Sequence, residues 1–435
     1  MEKNNFRKIA TITLFESAVQ WYCFLLYGTA AGTVFHKVFF SQTGNGTTAL
    51  ILSYMSFAIG YIAGPFGAIF FGHIGDRKGR KVTMYASLLM MGISTSIIGI
   101  LPPAASAGVG VVIVLQLMRL AQCFGRGGTW GGGILMAYEN VPENKRSFYA
   151  AIPQIGLPIG FGLSSILIAV PELLLPEDIF FTWGWRIPFL AAIILTVIVI
   201  RQKGEMMETE DYKKAQAKLE AEEAEGKKHK VGFIPMVKGY WKTLLLGCGT
   251  RWVDGTFYNI FIVWILSYCI NWLGMPLIQT YIITIIACIF KIPFTLFGGW
   301  CAQKLGNTRT FVIGALASAV LSIPTLKVIE LSKGNLAITI IGIVLGWSIA
   351  YNLIWAVISS LWSSYFETEV RYSGISFVYH VPSFLVAGMV PTICTLLINY
   401  GKGDTIYVGI YSTVVALISA ACALALKARH DRGEK

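Results

Sequence analysis

The chain has 435 residues, of which 55% are hydrophobic and 13% charged, and its mean hydropathy is +0.63. Too little polar material remains to clothe a soluble globule of this length, so the chain needs lipid around it. The formal charge of +12 does not point to nucleic acid, because the basic residues collect on one side of a series of apolar segments, as in a protein oriented on an anionic leaflet.

Apolar stretches of about 20 residues, the length that crosses a bilayer core at about 1.5 Å per residue, run near 9–35, 50–71, 82–101, 108–138, 147–169 and 186–200. The sixth is short. Six more run near 243–268, 276–300, 310–329, 335–361, 373–397 and 406–426. The expected fold is therefore an all-α integral membrane protein of twelve transmembrane helices. Between the two sets, Glu205, Glu208, Glu210, Asp211, Lys213, Lys214 and further alternating charges suit a solvated helix on the membrane face. Residues 201–242 are expected to form a cytoplasmic linker that tethers a six-helix lobe over 1–200 to a second over 243–435. With the amino terminus inside, the segments on its side hold most of the Lys and Arg residues. The opposite loops hold Lys37, Arg186, Lys327, Lys333 and Lys402. Both termini are thus expected in the cytoplasm, with the chain in the cytoplasmic (plasma) membrane, the inner membrane of a cell that has two.

The first apolar stretch has span length and no small-residue cleavage site before the next, so it reads as a signal anchor. The cysteines (Cys23, Cys123, Cys248, Cys269, Cys288, Cys301, Cys394 and Cys422) lie in or beside spans without a CxxC pair, which speaks against a disulfide framework or a zinc site. Five scattered histidines (His36, His73, His229, His380 and His430) offer neither a metal cluster nor a nucleophile with its base. No enzyme chemistry, metal or cofactor is expected.

The halves resemble each other, as the parallel repeats of a two-lobed carrier should. The loop after the second span reads GHIGDRKGRK over 72–81, and the loop after the eighth reads GWCAQKLGN over 299–307 with its glycine spacing kept. Gln20, Trp21, Tyr22 and Cys23 in the first span parallel Arg251, Trp252, Val253 and Asp254 in the seventh. GHIGDRKGRK resembles the loop signature of the major facilitator superfamily. The stretches at 20–32, 119–149 and 370–380 look like its metabolite:proton symporter branch, which carries shikimate, 2-oxoglutarate, citrate and proline or betaine. The resemblance implies a carrier for a small acid or zwitterion, with a proton as co-substrate. In the loop, Gly72 and Gly79 let two helix ends approach. Asp76 can accept from a facing helix N-terminus or pair with an arginine, and Arg77, Arg80 and Lys81 can grip lipid phosphates or carboxylates as a gating latch.

Ionisable residues inside spans cost several kcal/mol unless paired or hydrated, so each is a functional candidate. They are Glu16, Arg119, Arg126, Arg251, Asp254, Lys291 and His380. At helical spacing Glu16, Gln20, Cys23 and Tyr27 form one polar stripe, Arg119, Gln122, Arg126, Thr129 and Gly133 a second, and Arg251, Asp254 and Tyr258 a third. These stripes are expected to line a central cavity that binds the solute. Trp347, Tyr351 and Trp355 add an aromatic stripe in the tenth span. Depth along the spans allows Lys291 to pair with Asp254, and Glu16 to pair with Arg126. The core then keeps a surplus of positive charge, which favours a carboxylate held bidentately by arginine.

Relatives of the symporter branch carry acids where this chain has Gln20, Cys23 and Thr129, and a valine-like residue at Arg126. The groups left for proton coupling are Glu16, Asp254, Glu139 and His380. Proton symport therefore stands beside two alternatives of the same fold, an uncoupled facilitator or anion exchanger, and a transceptor that signals without net transport.

Overall fold

The computed structural model describes residues 3–78, 80–139, 141, 145–202 and 233–434. Every regular element among them is helical. Ten helices are long and apolar enough to cross a membrane. We label them with two further helices in chain order. α1 is Lys3–Thr33 and α2 is Gly46–Lys78. α3 is Arg80–Ile100, α4 is Val109–Glu139, α5 is Arg146–Leu174 and α6 is Glu177–Arg201. α7 is Val237–Asn271, α8 is Leu277–Leu305, α9 is Asn307–Leu331 and α10 is Leu336–Tyr365. α11 runs from Thr368–His380 to Val390–Tyr400, and α12 is Ile406–Asp431. Exposed apolar side chains such as Phe66, Leu173, Val320 and Leu385 suit a lipid-facing surface.

The sixth span is longer than its apolar run predicts. It starts at Glu177, and its first turns hold Asp178 and a wide π-helical turn at Phe180–Gly184, which mask it in the sequence. Arg186, read from sequence as an outer-loop residue, is buried within this helix. It donates to the carbonyls of Thr182 at 2.8 Å, Gly99 at 3.0 Å and Leu101 at 2.6 Å, which satisfies the charge inside the protein.

The repeat shows in the outer helix pairs. Ser96 of α3 donates to the Phe189 carbonyl of α6 at 3.1 Å. In the second half Ser322 of α9 bonds Ser412 of α12, and Thr413 donates to the Ala319 carbonyl at 3.1 Å. α2 and α4 touch backbone to backbone, since a Cβ on Gly67 would collide with the Phe124 carbonyl; small residues permit such contact in lipid.

The expected gating latch lies outside the described residues: the surroundings of Gly72, the side chains of Asp76, Arg77, Arg80 and Lys81, and the whole of Gly79 fall there. Most of the linker expected at 201–242 does too, whereas the edges at 201–202 and 233–242 are helical. The counterpart turn in the second half is described, and Gly306 makes it with φ +89°, a conformation L side chains rarely adopt.

Three spans of the second half are not regular α-helix. α7 contains a π-helical turn at Ile260–Trp264, α10 one at Val344–Ala350 and α11 one at Phe384–Gly388. Such turns free backbone groups and are tolerated in lipid where neighbouring helices bury them.

Candidate functional site

The polar stripe of α4 serves two different places. Arg119 is fully buried, with its guanidinium carbon 4.5 Å from the Phe24 ring centroid, 4.4 Å from Tyr27 and 4.6 Å from Phe57. It donates to Gln122 Oε1 and, through Nε, to the Phe57 carbonyl at 3.4 Å. Gln122 donates onward to the Cys23 carbonyl at 2.8 Å and Thr95 Oγ1 at 2.7 Å. Tyr27 is hydrogen-bonded to Ser56, and Thr129 turns back to the Arg126 carbonyl at 3.1 Å. Arg119, Cys23, Tyr27 and Thr129 are therefore placed within the first lobe, where ring faces and neutral dipoles hold the cation.

Two turns along α4, Arg126 crosses to the other lobe. Its guanidinium carbon is 3.8 Å from the Phe24 centroid and 4.7 Å from Trp21, and its Nη2 donates to the Tyr379 hydroxyl of α11. Arg251 of α7 comes to the same tyrosine, 4.3 Å from its ring centroid. Tyr379 thus has an arginine of one lobe on its hydroxyl and an arginine of the other on its ring. Nearby, Arg126 Nε, Arg251 Nε, and the Tyr61, Tyr258 and His380 polar atoms (Oη, Oη and Nε2) are buried without a hydrogen bond inside the protein. Gln20 Nε2, beside Trp21, is in the same condition. The set is rich in donors, and buried donors of this kind require a partner.

Beside it lies a buried ionic network of the second lobe. Arg251 Nη1 donates to Asp254 Oδ2, and Asp254 Oδ1 accepts from Tyr351 at 2.5 Å. Lys291 Nζ donates to Asn352 Oδ1 at 3.0 Å and sits 4.4 Å from the Tyr351 ring centroid and 4.7 Å from Trp347. The expected Lys291–Asp254 ion pair does not form. Arg251 lies one turn from Asp254 on the same helix face and reaches it first, while Tyr351 touches both would-be partners. Arg126 likewise meets Tyr379 instead of Glu16, which is buried in α1. Among the described residues, the ion pairs include none from Arg119, Arg126 or Lys291. Of Arg119, Arg126, Arg251 and Lys291, those without an ion pair among the described residues are thus Arg119, Arg126 and Lys291, where the expected pairing leaves Arg119 and Arg251.

Tyr379, Tyr61 and Asn352 escaped the sequence reading. Tyr379 directly precedes the intramembrane His380, with ring centroids 4.9 Å apart, and Asn352 is a strongly polar side chain in a span. A list of span residues that included amides and tyrosines beside ionisable groups would have found both.

Contacts between lobes bracket the cluster. Toward the face opposite the termini, Tyr54 donates to Ser267 Oγ at 2.7 Å and lies 3.3 Å from the Val263 carbonyl, and Tyr281 donates to Thr33 at 3.3 Å. Toward the terminal face, Trp355 Nε1 donates to the Gln154 carbonyl at 2.9 Å and Gln154 Nε2 to the Trp355 carbonyl at 3.2 Å. Beyond Ser267, a cavity of about 800 Å³ is lined by Lys37, Trp264, Asn271 and Asn399 among others. At that face Lys327 joins Glu330 at 2.9 Å and Asp404 at 2.7 Å. The hydrogen bond from Lys327 holds the Asp404 carboxyl below its ordinary value.

A family model described as Major Facilitator Superfamily matches residues 23–391. The inner membrane metabolite transport protein YhjE of Escherichia coli K12 is 33% identical over 98% of this chain and 96% of its own length. The shikimate transporter of the same strain is 31% identical over 97% and 94%. A proline/betaine transporter of Salmonella typhimurium is 27% identical over 99% and 85%. In fold, the chain is similar to a partially occluded inward-open form of the xylose transporter XylE of Escherichia coli, with a TM-score of 0.74 at 15% identity over 96% of each chain. A family match across most of the chain, joined by relatives above 30% identity along nearly all of it, places this multi-pass membrane transporter in the Major Facilitator Superfamily.

Proposed function

We propose that the chain carries a small carboxylate-bearing metabolite across the cytoplasmic membrane by alternating access, with a proton moving alongside it and both termini in the cytoplasm. The observation that carries this reading is the convergence of Arg126 and Arg251, one from each lobe, on Tyr379. Each arginine keeps a buried Nε–H without a partner in the protein. A carboxylate placed there satisfies donors from both lobes at once and couples its own binding to their approach. The named solutes of two relatives, shikimate and proline or betaine, share that group.

A second reading, a zwitterion, is favoured by one specific feature. The Trp21 ring lies 5.6 Å from Tyr258 and 5.4 Å from Trp355 between centroids, beside Arg126. Such an aromatic group suits a solute's ammonium while its carboxylate rests on the arginine. A thermal-shift panel of shikimate, proline, glycine betaine and choline separates the two, because a ligand of the folded state raises apparent stability. Shifts from all three carboxylates support the common anion site, and a larger shift from betaine than from shikimate selects the zwitterion. A shift from choline alone contradicts both. Solute flux in proteoliposomes then distinguishes a carrier from a transceptor, and the effect of an imposed pH gradient distinguishes symport from facilitation.

A further inference from the structure

Arg251 faces two ways. One side of its guanidinium lies against Tyr379, toward Arg126, with Nε free of any hydrogen bond in the protein. The other side is held by Asp254. Asp254 is itself 1% exposed, and its second oxygen accepts from Tyr351 at 2.5 Å. The acid and the expected solute therefore compete for one cation.

Resting on the carboxylate reading above, we propose that Asp254 is the proton-carrying group of the transport cycle, and that Arg251 is the solute ligand it holds when ionised and releases when protonated. The proton adds to Asp254 Oδ2, the oxygen that accepts from Arg251. The Nη1–H···Oδ2 bond breaks, and the same N–H donates to the solute's carboxylate. One O–H bond forms, and no other covalent bond changes. The positive charge gained with the proton equals the negative charge brought by a monocarboxylate, so the loaded core carries the same net charge as the empty one. That balance lets both forms cross between access states without a new buried charge.

The surroundings of Asp254 set the order of events. The groups that face it are Arg251 on its own helix, Tyr351 from α10, Tyr379 from α11 and Lys291 from α8, whose ammonium lies 4.4 Å from the Tyr351 ring centroid. Arg126 and His380 also lie against the Tyr379 ring, and Tyr61 lies beside Arg126. In the empty protein both Asp254 oxygens are engaged, Oδ2 by Arg251 and Oδ1 by Tyr351. A carboxylate arriving at Arg251 brings a like charge beside Asp254 at low dielectric, which is relieved by one proton. Linkage makes the effect reciprocal: solute raises the affinity for the proton, and the proton raises the affinity for solute.

The test uses the full-length purified protein and the panel of shikimate, proline and glycine betaine. Affinities are measured from about pH 5 to about pH 8 in wild type, Asp254→Asn and Asp254→Glu. In wild type the affinity for the best-binding member is expected to rise about tenfold for each pH unit of acidification. The slope is expected to vanish in Asp254→Asn and to return, with a displaced midpoint, in Asp254→Glu. Proton uptake on solute binding, read in weakly buffered wild type, needs no variant and is expected to be one proton per solute. Silence of the whole panel in wild type overturns the carboxylate reading and the switch with it. Binding without proton uptake, or a slope that persists in Asp254→Asn, overturns the switch and leaves the carboxylate site standing.

Discussion

In the first lobe Arg119 and Arg126 are held by ring faces and by neutral partners, Gln122 and Tyr379. In the second lobe Arg251 is held by the Asp254 carboxylate, and Lys291 by the Asn352 amide. A ring face stabilises a guanidinium without using up its hydrogen-bonding edge, whereas a carboxylate occupies that edge. The first lobe therefore offers an anchor that no carboxylate engages, and the second offers a ligand whose availability depends on an acid. The backbones differ in the same sense. Each of α7, α10 and α11, which supply Arg251, Tyr351 and Tyr379, contains a π-helical turn, while α1 and α4 are continuous α-helix over their described residues. Anchor and switch thus sit on helices of different regularity.

The harshest way to break the comparison is Arg251→Ala, which leaves Asp254 buried without its cation. A stability loss of about 3–5 kcal/mol is expected, read as a fall in melting temperature, and Arg251→Ala/Asp254→Ala together is expected to recover part of it. Next comes Arg126→Gln, which removes the anchor but leaves no acid stranded. Its cost is expected mainly in solute affinity, about 1.5–3 kcal/mol for a charge-assisted bond, or roughly ten- to a hundredfold in competition binding. Equal melting losses in the two variants would contradict the distinction between a paired and an unpaired arginine. A smaller effect is expected from Lys291→Met, which loses the bond to Asn352 and costs about 1 kcal/mol, with the panel's binding order unchanged.

The smallest effect lies away from the site, at Asp404. Its folded-state affinity for protons is lowered first by the hydrogen bond from Lys327 and then by the Ile406 backbone N–H. The stability it contributes is therefore present above its unfolded value and lost as pH falls through the lower folded one. Amide exchange at Ile406 is expected to accelerate below about pH 4 once the intrinsic pH dependence is subtracted. In Lys327→Ala the onset is expected at higher pH.

The sequence makes the helices legible wherever an apolar run is unbroken. It misleads at the sixth span, where Glu177, Asp178 and the wide turn at Phe180–Gly184 interrupt the run, and at Arg186, whose burial among three carbonyls no charge count reveals. The stripe of Arg251, Asp254 and Tyr258 is visible from helical spacing, but the choice of partner is not. Depth along two spans makes Lys291 and Asp254 equally eligible as a pair, and only the packing shows Tyr351 touching both. The α4 stripe shows the same limit: one periodicity joins Arg119 and Arg126, yet Arg119 turns into its own lobe and Arg126 toward Tyr379. That split arises from where α11 crosses, a tertiary fact with no local signal.

The account depends most directly on where a solute's carboxylate lies. Cryo-electron microscopy of the protein with the panel member that stabilises it most decides this. Density for the carboxylate is predicted between the Arg126 and Arg251 guanidinium groups, against the Tyr379 hydroxyl, with Asp254 turned from Arg251. Solute held instead in the cavity lined by Lys37 and Trp264, or with its carboxylate away from both arginines, would contradict it.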